Sequence, residues 1–318
     1  MTDWSLRTWR RPRVRLGLNV AFGIVALAAL ALAVRHVVET GMPLASANPL
    51  LAAGAGLLFL AAYGLKAYGW RRLFKRHERP GPASLAAAGG AASVTGVALP
   101  GRFDDVVRIT VARRAGCRSC VRTLCLTLVL LGLVDAVALT PLASVAASLT
   151  DSVPLRSGLA VVAAGGVGAA LVLLAIPRAA RVARLARFRL VGWLSQHTAS
   201  ARDAAHAGLF VLASWMVRVV ALLLLLGALG LGFSFPLAVL FLTAAAASSA
   251  LPVAPAGAAT QAGAGAGILV VSGVGTNDAV GFAIAAQLLV VFAGATVLGG
   301  FLLWRVSRRL SALPTRIA

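Results

Sequence analysis

Ala98-Leu99-Pro100-Gly101-Arg102-Phe103-Asp104-Asp105-Val106-Val107-Arg108 is the stretch at which an otherwise apolar chain becomes polar. Pro100 disfavours the α conformation in the residue before it, and Gly101 permits a sharp turn, so the preceding segment ends here. The residues that follow predict a short helix. Asp104 and Asp105 would lie in its first turn, where free backbone N–H groups favour anions.

The spacing of the charges predicts ion pairs within this helix. Arg108 follows Asp104 by four residues and Asp105 by three, which brings all three side chains to one face. Arg114 in the last turn and Gly116 just beyond it are typical of a helix C-terminus. One interpretation is a cytoplasmic loop with self-paired charges, which are common at helix ends. The other is a polar binding site at a membrane boundary.

A second segment of the chain repeats this pattern. The tripeptide Ala-Leu-Pro occurs at 98–100 and again at 250–252, each time after a run of small residues. Pro255 and Gly257 follow the second copy. A three-residue match has little weight alone, so its meaning depends on where the two copies lie in the topology.

Composition identifies the class of protein. Hydrophobic residues make up 60% of the chain, charged residues only 12%, and the mean hydropathy is +0.91. Soluble domains carry about a quarter charged residues, so we expect an all-α, polytopic membrane helical bundle. The net charge of +21 would suggest nucleic acid in a soluble protein, but in a membrane protein it is a topology signal. No nucleic-acid partner is predicted.

The cysteines do not predict a metal site. Cys117, Cys120 and Cys125 have no fourth cysteine or nearby histidine to complete a tetrahedral set. Reduced thiols at the cytoplasmic face are the simpler interpretation. We predict neither a metal nor another cofactor.

Hydropathy predicts about six full spans. They lie at about 16–37, 49–69, 123–147, 157–176, 207–231 and 279–304. Arginine clusters before the first span and after the last predict that both termini are cytoplasmic. We expect the protein to lie in the plasma membrane. The basic segment 177–206 predicts either an interfacial helix on the anionic inner leaflet or simply a topology determinant.

Three weakly apolar segments are too short or too broken to be full spans. If 83–99 crossed, the arginines after it would lie outside, against the positive-inside rule. We therefore expect it to be re-entrant, and we expect 237–251 and 262–274 to form a second broken region. The chain is then one membrane domain with two halves, 1–150 and 151–318, related as an inverted repeat whose broken segments form a substrate site.

Two charges lie inside predicted spans. Asp135 and Arg218 are costly in a bilayer, so we expect both to face the bundle interior and to approach each other. They are either a buried structural pair or part of a polar lining for a lipid head group. In the second case Arg102 and Arg108 would hold a phosphate through paired guanidinium contacts.

The two proline motifs resemble those of the lysylphosphatidylglycerol synthase transmembrane region family. In the first half that family has Leu-Pro-Gly-Arg-x-Gly-Glu/Asp-x-x-Arg. The matching residues here are Leu99, Pro100, Gly101, Arg102, Asp105 and Arg108, while Asp104 replaces a glycine. In the second half the family has Pro-x-x-Pro-Gly-Gly-x-Gly-x-x-Glu. Here Pro252, Pro255 and Gly257 match, whereas Ala262 replaces the acid and Gln261 is the nearest polar residue.

The resemblance implies a flippase-like module that moves a phospholipid or a polyprenyl-phosphate lipid between leaflets. Aminoacyl transfer in that family needs a separate soluble domain, so we do not expect this chain to be an enzyme by itself. Two alternatives stay open. One is a membrane transferase in which Asp104 and Asp105 hold Mg²⁺ against a polyprenyl diphosphate. The other is a non-transporting membrane partner subunit. As protein partners we consider a second copy of the chain, in a homo-oligomer, or a partner enzyme.

Overall fold

The computed structural model describes residues 44–45, 47–97, 103–117, 119–179, 200–249 and 257–311. Within these ranges the fold is all-helical, as predicted, with nine α-helices and one short 3-10 turn. In chain order the helices are α1 (Pro49–Arg72), α2 (Pro82–Thr95), α3 (Phe103–Arg114), α4 (Val121–Ser148), α5 (Val153–Ala179), α6 (Ala201–Ala228), α7 (Phe235–Ser249), α8 (Gly257–Val271) and α9 (Thr276–Ser311).

Five helices are long and apolar enough to cross a membrane. They are α1, α4, α5, α6 and α9, which correspond to five of the predicted spans. The chain is therefore a multi-pass membrane protein. The predicted span 16–37, both chain termini and most of the basic segment 177–206 lie outside the described residues.

Local sequence signals set the ends of the helices. Asn48 caps α1, because its side-chain oxygen accepts hydrogen bonds from the backbone N–H groups of Leu50 and Leu51 at 3.0 and 3.3 Å. At the end of α3, Gly116 adopts a φ of 99°, and the N–H of Cys117 donates to the carbonyl of Ala112 at 3.1 Å. This is the glycine-terminated helix end that the sequence predicts.

The weakly apolar segments form short helices. The predicted segment 83–99 corresponds to α2, which begins one residue earlier and whose 14 residues rise only about 21 Å, less than the hydrocarbon thickness of about 30 Å. The stretches 237–251 and 262–274 form α7 and α8, and α8 begins five residues earlier than expected. Short helices therefore occur where re-entrant segments were predicted. The inverted orientation of the halves stays a prediction.

The helices of the two halves interlock. The pair α1 and α6 forms the centre of the bundle, and α5 lies at its edge, packed on α4. The last span of each half packs against the first short helix of the other half, because α9 contacts α2 and α4 contacts α7. The surfaces that enclose the centre of the bundle therefore come from both halves.

The crossing of α2 and α9 is a close approach of two backbones. A Cβ atom added at Gly90 would lie 2.4 Å from the carbonyl oxygen of Gly294. Beside this crossing the hydroxyl of Tyr63 is hydrogen-bonded to Ser93 and donates to the carbonyl oxygen of Val290 at 3.2 Å. Hydrogen bonds of one tyrosine of α1 therefore connect it to both α2 and α9.

Candidate functional site

A cavity of about 740 Å³ lies within the bundle, between α1, α2, α3, α4 and α6 to α9. Its walls are largely apolar and include Phe59, Leu85, Leu139, Leu222 and Phe241. The polar side chains on its surface are Tyr63, Lys66, Ser93, Asp104, Asp105, Arg108, Asp135, Arg218, Gln261 and Gln287. The cavity is therefore amphiphilic, with charged groups set against an apolar wall.

The predicted charge cluster of α3 faces this cavity. The two nitrogens of the Arg108 guanidinium lie 3.1 Å from Asp104 Oδ2 and 2.9 Å from Asp105 Oδ1. Both ion pairs predicted from the spacing are confirmed. The three side chains are about one-third exposed, so they are partly screened, and their contribution to stability is small.

The intramembrane carboxylate has a different partner from the one predicted. Asp135 Oδ2 lies 2.8 Å from Lys66 Nζ, and Asp135 Oδ1 accepts a hydrogen bond from Trp215 Nε1 at 3.1 Å. The predicted approach of Asp135 to Arg218 as a pair is wrong, although both line the cavity. Because α4 packs on α1 as well as on α6, the carboxylate lies within reach of the lysine.

Lys66 is the site residue that the sequence analysis missed. It is the only charged residue in the predicted span 49–69. The same signal, a charge inside a predicted span, identified Asp135 and Arg218 and could have identified Lys66. Its ion pair with Asp135 directs it into the cavity.

Arg218 lies against aromatic rings. The Cζ atom of its guanidinium is 5.0 Å from the ring centre of Trp215 and 5.9 Å from that of Tyr63. The Nε atom is buried and has no hydrogen-bond partner. A buried donor without a partner is costly, and here the contacts of the guanidinium with the two aromatic rings offset part of that cost.

The second motif contributes less to the described cavity. Gln261 and Ala262 of α8 both line it, which places the polar substitute and the residue that replaces the family acid side by side. Gly257 is the first residue of α8. The predicted site residues Pro100, Gly101, Arg102, Pro252 and Pro255 lie outside the described residues.

The cavity is suited to bind an amphiphile by non-covalent contacts. Its volume falls in the range of small-molecule sites, about 300–1,000 Å³. In the parts of the chain that the structure describes, no group of three or more His, Cys, Asp or Glu side chains is placed to hold a metal ion. The charged residues offer guanidinium, ammonium and carboxylate groups to a polar head, and the walls offer apolar surface to a chain.

Comparison with known proteins gives one match. A family model described as "Lysylphosphatidylglycerol synthase TM region" matches residues 16–306. No curated protein and no solved structure matches the chain. The match covers every described helix except the last residues of α9.

Proposed function

Because the chain belongs to the lysylphosphatidylglycerol synthase transmembrane-region family, we propose that it is a flippase-like transporter that moves a phosphate-bearing lipid between membrane leaflets. Membership of that family relates the protein to membrane lipids. Leaflet-to-leaflet movement and the phosphate-bearing substrate are the parts that we add. In this proposal the protein acts without covalent chemistry, in the plasma membrane, with both termini in the cytoplasm.

The amphiphilic cavity is the observation that carries this proposal. A lipid that changes leaflets must take a charged head group through the hydrocarbon region, which is costly without polar partners. The cavity places charged residues from α1, α3, α4 and α6 inside the bundle, beside apolar walls. Cys125 and Val129 of α4 line the cavity and are exposed, so the cavity opens to the surroundings of the protein.

The transferase alternative finds less support in the same residues. Asp104 and Asp105 both engage Arg108, and a Mg²⁺ ion bound there would have to compete with that guanidinium. The partner-subunit alternative rests on Ala262, which lines the cavity without the acid that the family has at that position. A protein that binds lipid without moving it would fit this second alternative.

Filling the cavity tests the proposal. Gly132 and Gly165 are both exposed helical glycines with nothing within 4 Å of an added Cβ, but only Gly132 lines the cavity. In liposomes that contain the purified protein and a fluorescent phospholipid, wild type should speed the exposure of inner-leaflet lipid to an external quencher. Gly132→Phe should abolish most of this increase, and Gly165→Phe should retain it.

Two outcomes would contradict the proposal. If wild-type liposomes redistribute lipid no faster than empty liposomes, the protein is not a transporter of that lipid on its own. If both variants are equally active, lipid does not pass through this cavity. A new covalent lipid product in the same liposomes would favour the transferase alternative.

A further inference from the structure

Two glutamine side chains line the cavity on the side formed by α8 and α9. They are Gln261 of α8 and Gln287 of α9. In the part of the chain that the structure describes, neither side-chain amide forms a hydrogen bond, either with the other glutamine or with another residue. An amide beside apolar walls is costly without a hydrogen-bond partner. Both amides are therefore available to a bound molecule.

The fold places these two amides at the same depth. A connection of four residues, 272–275, joins α8 to α9, and the two helices pack against each other. They form a helical hairpin whose arms run in opposite directions. Gln261 lies ten residues before the end of α8, and Gln287 lies eleven residues after the start of α9. These positions correspond to rises of about 15 and 16.5 Å from the connection, so the two amides face the cavity at one level.

The charged side chains of the cavity mainly contact one another. Arg108 lies within 3.1 Å of both acids of α3, and Lys66 lies 2.8 Å from Asp135. Arg218 lies against two aromatic rings. Three cations and three carboxylates line the described wall, so its net charge is zero. Net charge therefore does little to select a head group, and uncharged hydrogen-bonding groups are left to do so.

Two amides in this arrangement suit hydroxyl groups on a ring. An amide side chain both donates and accepts hydrogen bonds, as a hydroxyl group does. The axes of packed helices lie about 8–10 Å apart, so amides at one level on two helices reach hydroxyls that are several ångströms apart. A sugar or cyclitol ring presents hydroxyls on opposite edges. The two hydroxyls of a glycerol group lie on adjacent carbons and match this arrangement less well.

We infer that Gln261 and Gln287 bind a lipid head group that contains a polyhydroxylated ring, a sugar or a cyclitol. The inference rests on the proposed function and deepens it, because it names the class of head group and adds Gln287 to the site. The ring hydroxyls supply the hydrogen bonds that the two amides lack, and the lipid chains contact the apolar wall. A head group without hydroxyls is disfavoured, because it leaves both amides unpaired in the cavity.

Two lipids of equal charge test this assignment. Dioctanoyl phosphatidylinositol carries a cyclitol ring, whereas dioctanoyl phosphatidylmethanol has the same phosphodiester and chains without a head-group hydroxyl. Equilibrium binding of the radiolabelled lipids is measured with the full chain in a sugar-free polyoxyethylene detergent. Wild type should bind the inositol lipid about tenfold more tightly, the value of two neutral hydrogen bonds. Equal affinities would overturn the inference.

Substitution of the glutamines tests which residues cause this preference. Gln261→Met and Gln287→Met keep the side-chain length but remove the amide, so each should lower the ratio of the two affinities about threefold, the value of one hydrogen bond. If one variant does not fold, the other decides. A wild-type ratio in the folded glutamine variants overturns the inference.

Thr296→Val is the matched control on α9. The hydroxyl of Thr296 donates to the carbonyl of Phe292 at 2.8 Å, and Thr296 does not line the cavity. This variant also removes a polar group from the helix, but it should keep the wild-type ratio. A loss equal to that of the glutamine variants would mean a general effect on packing and would overturn the inference.

Two competitors identify the shape and the source of the hydroxyl groups. Dioctanoyl phosphatidylglycerol should displace the labelled inositol lipid less effectively than unlabelled inositol lipid does, because its head group is acyclic. Free inositol at equal concentration should not displace it, because it lacks the chains that contact the apolar wall. Equal displacement by phosphatidylglycerol would mean that no ring is needed, and displacement by free inositol would mean a site for free polyols. Either result overturns the inference.

These binding measurements are independent of transport. If the glutamine variants lose the preference for the inositol lipid but wild type moves no lipid in liposomes, the head-group site stands and the flippase proposal fails. If wild type moves lipid but binds the two lipids equally, the flippase proposal stands and the assignment of Gln261 and Gln287 fails.

Discussion

At the scale of single residues, Arg108 connects two carboxylates that would otherwise repel each other at the cavity surface. Its planar guanidinium presents separate nitrogens to Asp104 and Asp105. A lysine ammonium is a compact point charge and cannot reproduce this fixed two-sided contact. The geometry of the pair, rather than the positive charge alone, therefore positions the acidic groups of α3.

Replacing Arg108 by lysine tests this role. We expect Arg108→Lys to lower the lipid redistribution rate in liposomes about tenfold, as the loss of one charge-assisted hydrogen bond implies. Arg113→Lys is the control, because Arg113 lies in the same helix but does not line the cavity. A normal rate for Arg108→Lys, measured at equal folded amounts, would mean that the ion pairs of α3 have no role in lipid movement.

Cys120 offers a pH-dependent measurement at the boundary of α4. Its exposed thiol lies 3.1 Å from the hydroxyl of Thr123, and hydrogen bonds from the side chain and backbone of Thr123 lower the pKa of Cys120 below its ordinary value. The thiolate is the nucleophile, so maleimide labelling should rise with pH around a midpoint below that of a free thiol.

The variant Thr123→Val should move this midpoint to higher pH, because it removes the hydroxyl that stabilises the thiolate. The measurement is the labelling rate as a function of pH in a Cys125→Ser background, where buried Cys117 reacts slowly. Identical profiles with and without the Thr123 hydroxyl would show that this hydrogen bond does not set the pKa.

The sequence predicts the site residues unevenly. Asp104, Asp105 and Arg108 were predictable together with their contacts, since spacing along one helix fixes which side chains meet. Asp135 and Arg218 were predictable as interior charges but not as neighbours of particular residues. Those contacts depend on how α1, α4 and α6 rotate against one another, which a single sequence does not encode as a local pattern.

At the scale of helices, the crossing of α2 and α9 depends on the absence of side chains. A Cβ at Gly90 would meet the backbone of Gly294 at 2.4 Å, and backbone cannot move aside as a flexible side chain can. The two helices would have to separate. Small residues at such crossings allow close helix packing in membranes, where apolar burial gives no net drive.

We therefore expect Gly90→Ala to lower the free energy of unfolding by about 1–3 kcal/mol, the usual cost of overpacking. Gly89→Ala is the matched control on the same helix, since its Cβ would only contact the Tyr63 ring at 3.7 Å. Thermal unfolding in one detergent compares the two. Equal midpoints would mean that the crossing yields more easily than its geometry indicates.

Helix positions were more predictable than helix partners. Apolar length predicted the five described spans, and short, weakly apolar stretches of small residues predicted the short segments α2, α7 and α8. The start of α8 was placed too late, because Gly and Ala near 257–261 carry little hydropathy signal. Hydropathy gives no signal for the packing of the last span of each half against the first short helix of the other half.

At the scale of the whole molecule, charge asymmetry predicts which loops face the cytoplasm. Cys120 follows the basic helix α3, and Asp151 lies in the loop between α4 and α5, on the predicted opposite side. A membrane-impermeant maleimide should label Cys120 only after cells are permeabilised. In a background without other cysteines, Asp151→Cys should react in intact cells. The reverse pattern would invert the proposed topology.

The hydrogen bond between Tyr63 and Val290 joins residues that are 227 positions apart in the chain. At a synthesis rate of about 5–20 residues per second, roughly 10–45 s pass between the translation of the two residues. For most of that interval α2 is present in the growing polypeptide without α9, the helix on which it packs, and is itself too short to span a bilayer. We therefore expect that, during synthesis, α1 or the insertion machinery keeps α2 out of contact with lipid until α9 has been translated.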